Sequence, residues 1–100
     1  MIATNDLKTI KSILFSRLKP DEVHAFIYGS WAVGNNRKFS DIDIGIESKK
    51  PISTEALGYI REAFEESDFP YIVEIVDFKN VSAQFQEVAK QKIIPLNQIV

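Results

Sequence analysis

Apolar residues recur at helical spacing near the start of the chain. Leu7, Ile10, Ile13, Leu14 and Leu18 form the stripe, with Lys8, Lys11, Ser12 and Arg17 between them. Thr4 or Asn5 is a suitable cap for this helix, and Lys19-Pro20 is expected to end it. Val23 to Tyr28 then reads as a short buried strand, rich in β-branched and aromatic residues, which stops at Gly29-Ser30. Trp31 to Gly34 accommodates one or two helical turns before a polar loop, Asn35-Asn36-Arg37-Lys38. From Ser40 to Glu47 the pattern alternates: Ile42, Ile44 and Ile46 point one way, Asp41, Asp43, Gly45 and Glu47 the other.

Lys49, Lys50 and Pro51 form the next loop. Ser53 or Thr54 caps a second long helix, with Leu57, Ile60, Ala63 and Phe64 on its apolar side. Beyond Ser67-Asp68-Phe69-Pro70, the run Tyr71 to Phe78 predicts a third strand. A last helix is expected from about Ser82 to Lys92, stopped by Pro95, with Phe85, Val88 and Ala89 inward. The order α-β-α-β-α-β-α predicts an α/β (α+β) domain over residues 1–100, a short mixed three-stranded sheet packed with helices.

Composition narrows the function without naming it. The 100 residues are 45% hydrophobic and 26% charged, which is ordinary for one globular unit. A chain of this length leaves little room for a second, substrate-binding domain, so recognition falls to a partner or to a few surface loops. A net charge of −2 lacks the basic footprint of a nucleic-acid binder. The absence of cysteine excludes disulfides and thiolate metal sites. The opening MIATNDLKTIKSILF has no basic region followed by a continuous apolar run, and no stretch is long and apolar enough to span a bilayer. A cytoplasmic location is the expectation.

The informative stretch is Gly29-Ser30, ten intervening residues, then Asp41-Ile42-Asp43. Two carboxylates one residue apart on a strand share a face, about 7 Å apart along it. They repel unless a cation lies near, and Mg²⁺ is held by such a pair together with substrate phosphates. A strand running into Gly29-Ser30 and a helical turn offers backbone N–H groups to a phosphate, with the Ser30 hydroxyl as a further donor. Metal-binding carboxylates beside a phosphate cradle are the parts of phosphoryl or nucleotidyl transfer. A third carboxylate is expected on a neighbouring strand. Glu74 interrupts the apolar run Tyr71 to Phe78, and Asp77 lies three positions on, facing the other way. Glu74 is the choice, because an unpaired carboxylate in a buried strand is costly without a role.

Gly29-Ser30-Trp31-Ala32-Val33-Gly34, Asp41-Ile42-Asp43 and Val73-Glu74-Ile75 resemble the signature of the polymerase-β-type nucleotidyltransferase superfamily, in its minimal nucleotidyltransferase branch. The resemblance covers nearly the whole chain. It implies a polymerase-β-like fold, with Mg²⁺ (two ions possible) held by Asp41, Asp43 and Glu74 as the catalytic set. It also implies ATP as the nucleotide, with phosphates contacted by Gly29 and Ser30. Members often pair with a small helical HEPN-type protein in toxin–antitoxin systems, and some transfer AMP to a tyrosine of that partner. The family commonly carries a basic residue where Trp31 and Val33 stand, and often Asp where Glu74 stands.

Several residues carry a plainer reading beside the functional one. Asp-x-Asp is frequently a solvated face, and Glu74 a salt-bridge partner. Trp31 is a candidate for stacking on a base or for the core. Arg37 and Lys38 reach toward a triphosphate or are simply solvated. His24 is structural, and Ser40 fixes the loop. Three functions remain open: nucleotidyl transfer to a hydroxyl of a protein partner, an antitoxin-like module with a weakened site that acts by contact, and transfer to a small molecule. The last suits a chain with a second domain.

Overall fold

The computed structural model describes residues 2–37 and 40–97. In chain order the elements are α1 (Thr4–Leu14), β1 (Val23–Tyr28), α2 (Ser30–Val33), β2 (Ile42–Ser48), α3 (Thr54–Glu66), β3 (Val73–Asp77), α4 (Ala83–Ala89) and β4 (Ile94–Pro95). A 3-10 turn, Phe78–Asn80, joins β3 to the segment ahead of α4. The sheet is mixed, as expected, but has four strands in the order β3-β2-β1-β4. β1 runs antiparallel to β2 and β4, and β2 runs parallel to β3.

The alternation in β2 builds the main core. Ile42, Ile44 and Ile46 are completely buried, together with Ala25 and Ile27 of β1, Ile10 and Leu14 of α1, and Ile60 of α3. α3 starts where Ser53 accepts a hydrogen bond from the Ala56 amide, as a capping serine should. α1 is shorter than its apolar stripe predicts. It begins behind Ala3 with no side-chain cap and gives way to turns after Leu14, where the Ser16 hydroxyl donates to the Ile13 carbonyl at 2.6 Å. That local bond competes with the helix, and Leu18 is buried all the same.

The other sheet face carries a second, smaller cluster. Phe26, Tyr28 and Phe78 are buried there, flanked by Val76, Val81, Ala89 and Ile93. α4 covers this face only in part. It ends at Ala89, and Val88 (62% exposed) and Phe85 (43%) are not the inward positions their spacing suggests. Pro95, a helix stop by sequence, lies in the edge strand β4 opposite Phe26, where the missing N–H is tolerated. Asn97 anchors that edge: its side-chain oxygen accepts the Ala25 amide at 2.7 Å, and its nitrogen donates to the Pro20 and Val23 carbonyls at 2.8 and 2.6 Å.

At the far end of the second face, Lys90 Nζ lies 2.6 Å from Glu47 Oε2, and His24 Nδ1 lies 3.3 Å from Oε1. Burial pushes the Glu47 carboxyl up, but Lys90 and His24 outweigh it and hold the group below its ordinary value of 4.5. A carboxyl lowered in the folded state stabilises above its unfolded value and loses that contribution as pH falls through the folded one. Glu47→Gln is therefore expected to be less stable than wild type at neutral pH, by at most about 1 kcal/mol for a pair this exposed. The gap should close in acid. Denaturant unfolding of both proteins from neutral pH down past 4.5 checks this; a gap that persists in acid excludes the pairing as its source.

Candidate active site

β1 ends at Tyr28, and the chain turns into α2 through Gly29, whose φ of 74° is one that side-chain-bearing residues rarely adopt. The first amides to bond back into this turn are those of Ala32 and Val33, both to the Gly29 carbonyl at 3.1 Å. The amides of Ser30 and Trp31 lie ahead of them, at the open end of the turn. Gly34, in the left-handed conformation at φ 92°, closes α2 after its single turn.

The sheet register brings the acidic residues to this turn. Tyr28 pairs with Asp43 across β1 and β2, and Asp43 pairs with Glu74 across β2 and β3. Residues directly opposite in a sheet share a face, so Tyr28, Asp43 and Glu74 form one transverse row at the strand ends nearest Gly29. Asp41 lies one residue before β2 on the same side and is exposed. Burial raises the Asp43 carboxyl above its usual range, and the negative charges of Glu74 and Asp41 raise it further. Burial and the same field, from Asp43 and Glu74, push the Tyr28 phenol up to about 12, which keeps it a neutral hydroxyl.

A close approach that the motif alone does not reveal fixes the Gly29 turn against the acidic strand. A Cβ built on Gly29 would lie 2.6 Å from Asp43 Oδ2. Gly29 is thus required twice, by its backbone angle and by the carboxylate packed against it. Only the first requirement has a sequence signal.

The other predicted residues fall as follows. Glu74 is exposed, not buried, because β3 is an edge strand and its second face is open at this end. The cost of burial therefore does not explain it; its place beside Asp43 does. Asp77 is opposite Ile46 and caps the 3-10 turn by accepting the Lys79 amide at 3.0 Å, so it is not part of the row. Arg37 is exposed on the loop ahead of Asp41, with its amide donating to Ser40 Oγ at 2.8 Å. Lys38 lies outside the described residues. Trp31 is buried against Tyr71, with no open ring face for a base.

Among the described residues, no three His, Asp or Glu side chains are drawn tightly enough to close around one ion. The donor set nonetheless suits a hard divalent cation. The negative charges of Glu74 and Asp41 both act on the Asp43 carboxylate here, and Mg²⁺ takes one or two carboxylates and completes its shell with water and phosphate oxygens. Beside the row lies an open groove of about 500 Å³, lined by Tyr28, Gly29, Val33, Phe85, Val88 and Lys92 among others.

Comparisons with known proteins bear on the family and the fold. The family model for polymerase beta nucleotidyltransferases matches residues 8–98. A probable protein adenylyltransferase, MntA of Haemophilus influenzae, is 32% identical over 97 residues, covering 97% of this chain and 83% of that protein. In fold, the chain is similar to a crystal structure of a toxin–antitoxin with AMP-PNP, at a TM-score of 0.72 and 19% identity, covering 90% of this chain and 71% of that one. No helix among the described residues is long and apolar enough to cross a membrane. A match across nine-tenths of the chain, on a sheet that gathers the signature residues at one end, makes this protein a member of the polymerase beta nucleotidyltransferase family, a nucleotidyltransferase of the minimal branch.

Proposed function

We propose that this nucleotidyltransferase depends on Mg²⁺ and moves AMP from ATP to a hydroxyl of a small helical HEPN-type protein. The observation that carries the reading is the row in which Asp43 stands between Glu74 and the Gly29 turn. Asp41, Asp43 and Glu74 would hold the metal, which when bound supplies positive charge to offset the triphosphate. The Ser30 hydroxyl and the amides at the open end of the α2 turn donate to phosphate oxygens, and Arg37 with Lys38 adds charge from the loop. The acceptor oxygen forms a bond to the α-phosphorus, the bond to the bridging oxygen breaks, and pyrophosphate leaves. Glu74, exposed on an edge strand and open to an acceptor from solvent, either assists the metal or takes the hydroxyl proton.

A protein acceptor is favoured by what surrounds the row. Val33 (53% exposed), Phe85 and Val88 are large apolar side chains left open beside it. Such a patch suits a partner surface better than a small polar acceptor. The Haemophilus influenzae relative, a probable protein adenylyltransferase, points the same way for AMP as the group moved. The same exposed residues also support a second reading, an antitoxin-like module that restrains its partner by contact with a weakened site.

Calorimetric titration of ATP, with Mg²⁺ and with chelator, separates the two. Wild type is expected to bind ATP in a metal-dependent way, and Asp41→Ala/Asp43→Ala to bind at least about 10-fold more weakly, the loss seen even for groups that merely support a metal's ligands. Equal binding by both proteins, with or without metal, would remove the carboxylates from the nucleotide site and leave the contact reading.

A further inference from the structure

We infer that Trp31 is a positioning residue, whose indole N–H holds the phosphate turn and the acidic strand in register for metal-dependent nucleotide binding. The inference rests on the reading that Asp41 and Asp43 form that site. Trp31 is 5% exposed and sits in α2, directly behind Gly29-Ser30. Its Nε1–H donates to the Ser40 carbonyl at 2.9 Å, and the residue after Ser40 is Asp41. Ser40 is itself pinned, its hydroxyl accepting the Arg37 amide at 2.8 Å and its own amide donating to the Arg37 carbonyl at 3.1 Å. The Trp31 ring meets Tyr71 edge-on, with centroids 5.1 Å apart. Tyr71 leads into β3, and the next carbonyl, of Ile72, accepts the Ile42 amide at 2.9 Å.

One side chain thus touches all three parts of the row's support. It belongs to the cradle helix, it hydrogen-bonds the residue preceding Asp41, and it packs on the segment leading to Glu74. The need for such a tie follows from the chain. Among the described residues between Val33 and Ile42 there is no regular element, so neither helix nor ladder bonds hold the approach to Asp41. A carboxylate that must meet a cation within a fraction of an ångström needs supporting contacts of its own. The indole N–H is a donor only and has a fixed direction, which makes it suited to holding one carbonyl in place.

Trp31→Phe risks the core, so the test removes one atom instead. The chain contains a single Trp, so biosynthetic replacement of Trp by 3-benzothienylalanine exchanges N–H for sulfur at this position alone and keeps the ring shape. Amide-proton exchange at Ser40 to Asp43 is expected to quicken, and Mg²⁺-dependent ATP affinity to fall about 5-fold, the scale of one hydrogen bond. Exchange within β1, and ATP binding in chelator, should stay at wild-type values. Unchanged exchange and affinity overturn the inference, and so does faster exchange with unchanged affinity, which makes Trp31 a structural anchor only. Asp41→Ala/Asp43→Ala, run alongside, distinguishes the two failures. If that variant loses binding while the sulfur protein matches wild type, the inference alone falls. If that variant binds as wild type does, the site reading falls and takes the inference with it.

Discussion

Gly29→Ala is expected to weaken Mg²⁺-dependent ATP binding by about 10–100-fold, the range for disturbed support of a metal ligand. Nucleotidyl transfer should slow by about 100-fold, as follows from an ångström-scale misplacement of a reacting group. Two effects combine at this position. The backbone at φ 74° and ψ −153° lies in a region essentially reserved for glycine and costs a side-chain-bearing residue roughly 1–3 kcal/mol. The new methyl would also lie 2.6 Å from Asp43 Oδ2, so the carboxylate must swing out of the row or the turn must open. Only the second effect reaches the chemistry, and Gly34 supplies the control. Gly34 has φ 92°, and a methyl added there would meet nothing within 4 Å, so Gly34→Ala carries backbone strain alone. Gly29→Ala should lose the more thermal stability, and the two variants should differ sharply in ATP titration. If Gly34→Ala lowers affinity as much as Gly29→Ala does, strain in the turn is the cause and the Asp43 contact is irrelevant.

The contrast also marks what the sequence can and cannot convey about the site. Spacing identifies Asp43 and Glu74 separately, and period-2 alternation puts Asp43 opposite the isoleucines. The row itself comes from strand register, which pairs Asp43 with Tyr28 on one side and Glu74 on the other. Register is set by which residues meet across the sheet, and no single strand carries that information. By sequence, Tyr28 is only the end of an apolar strand. Its neighbour on the same face, Phe26, is likewise apolar, so nothing local distinguishes the tyrosine at the acidic end from the phenylalanine behind it.

β4 is illegible for a different reason. Two residues are too few to show a period, and Pro95 has a stronger local meaning as a helix stop. What holds the strand is long-range: the Leu96 amide to the Ala25 carbonyl at 2.8 Å and the three bonds of Asn97. α4 shows the opposite error. Phe85, Val88 and Ala89 have helical spacing, and the helix forms, but the sheet face beneath it is narrow and already filled by Phe26, Tyr28 and Phe78. Phe85 reaches only the rim, with its ring 6.0 Å from Tyr28 and 5.9 Å from Phe78, and Val88 faces out. Periodicity establishes an amphipathic face but not how much surface is available to cover it.

That crowded face makes Gly45 the position where one added methyl should cost most stability. Gly45 lies in β2 between Phe26 of β1 and Val76 of β3, beneath the edge-on contact of Phe26 and Phe78, whose centroids are 5.0 Å apart. A Cβ there would come within 2.6 Å of both rings and 2.8 Å of a second Phe26 carbon. Phe26 is fully buried and Phe78 nearly so, so neither ring has an empty rotamer to retreat into. Overpacking of this kind costs about 3 kcal/mol, at the upper end of its usual range. For a domain of this size that is a fall of roughly 15 °C in Tm. Gly58 provides the opposite case within the same chain. It sits inside α3 with nothing within 4 Å, so Gly58→Ala should raise stability by about 0.5–1 kcal/mol through helix propensity. The Gly45 clash also bears on the site, since Phe78 packs at 5.2 Å on Tyr28, the neighbour of Asp43. Thermal unfolding of the two variants should therefore move in opposite directions, and at a temperature where both remain folded only Gly45→Ala should lose ATP affinity. A Gly45→Ala protein as stable as wild type would mean that the two rings can part, and that this face is looser than its geometry indicates.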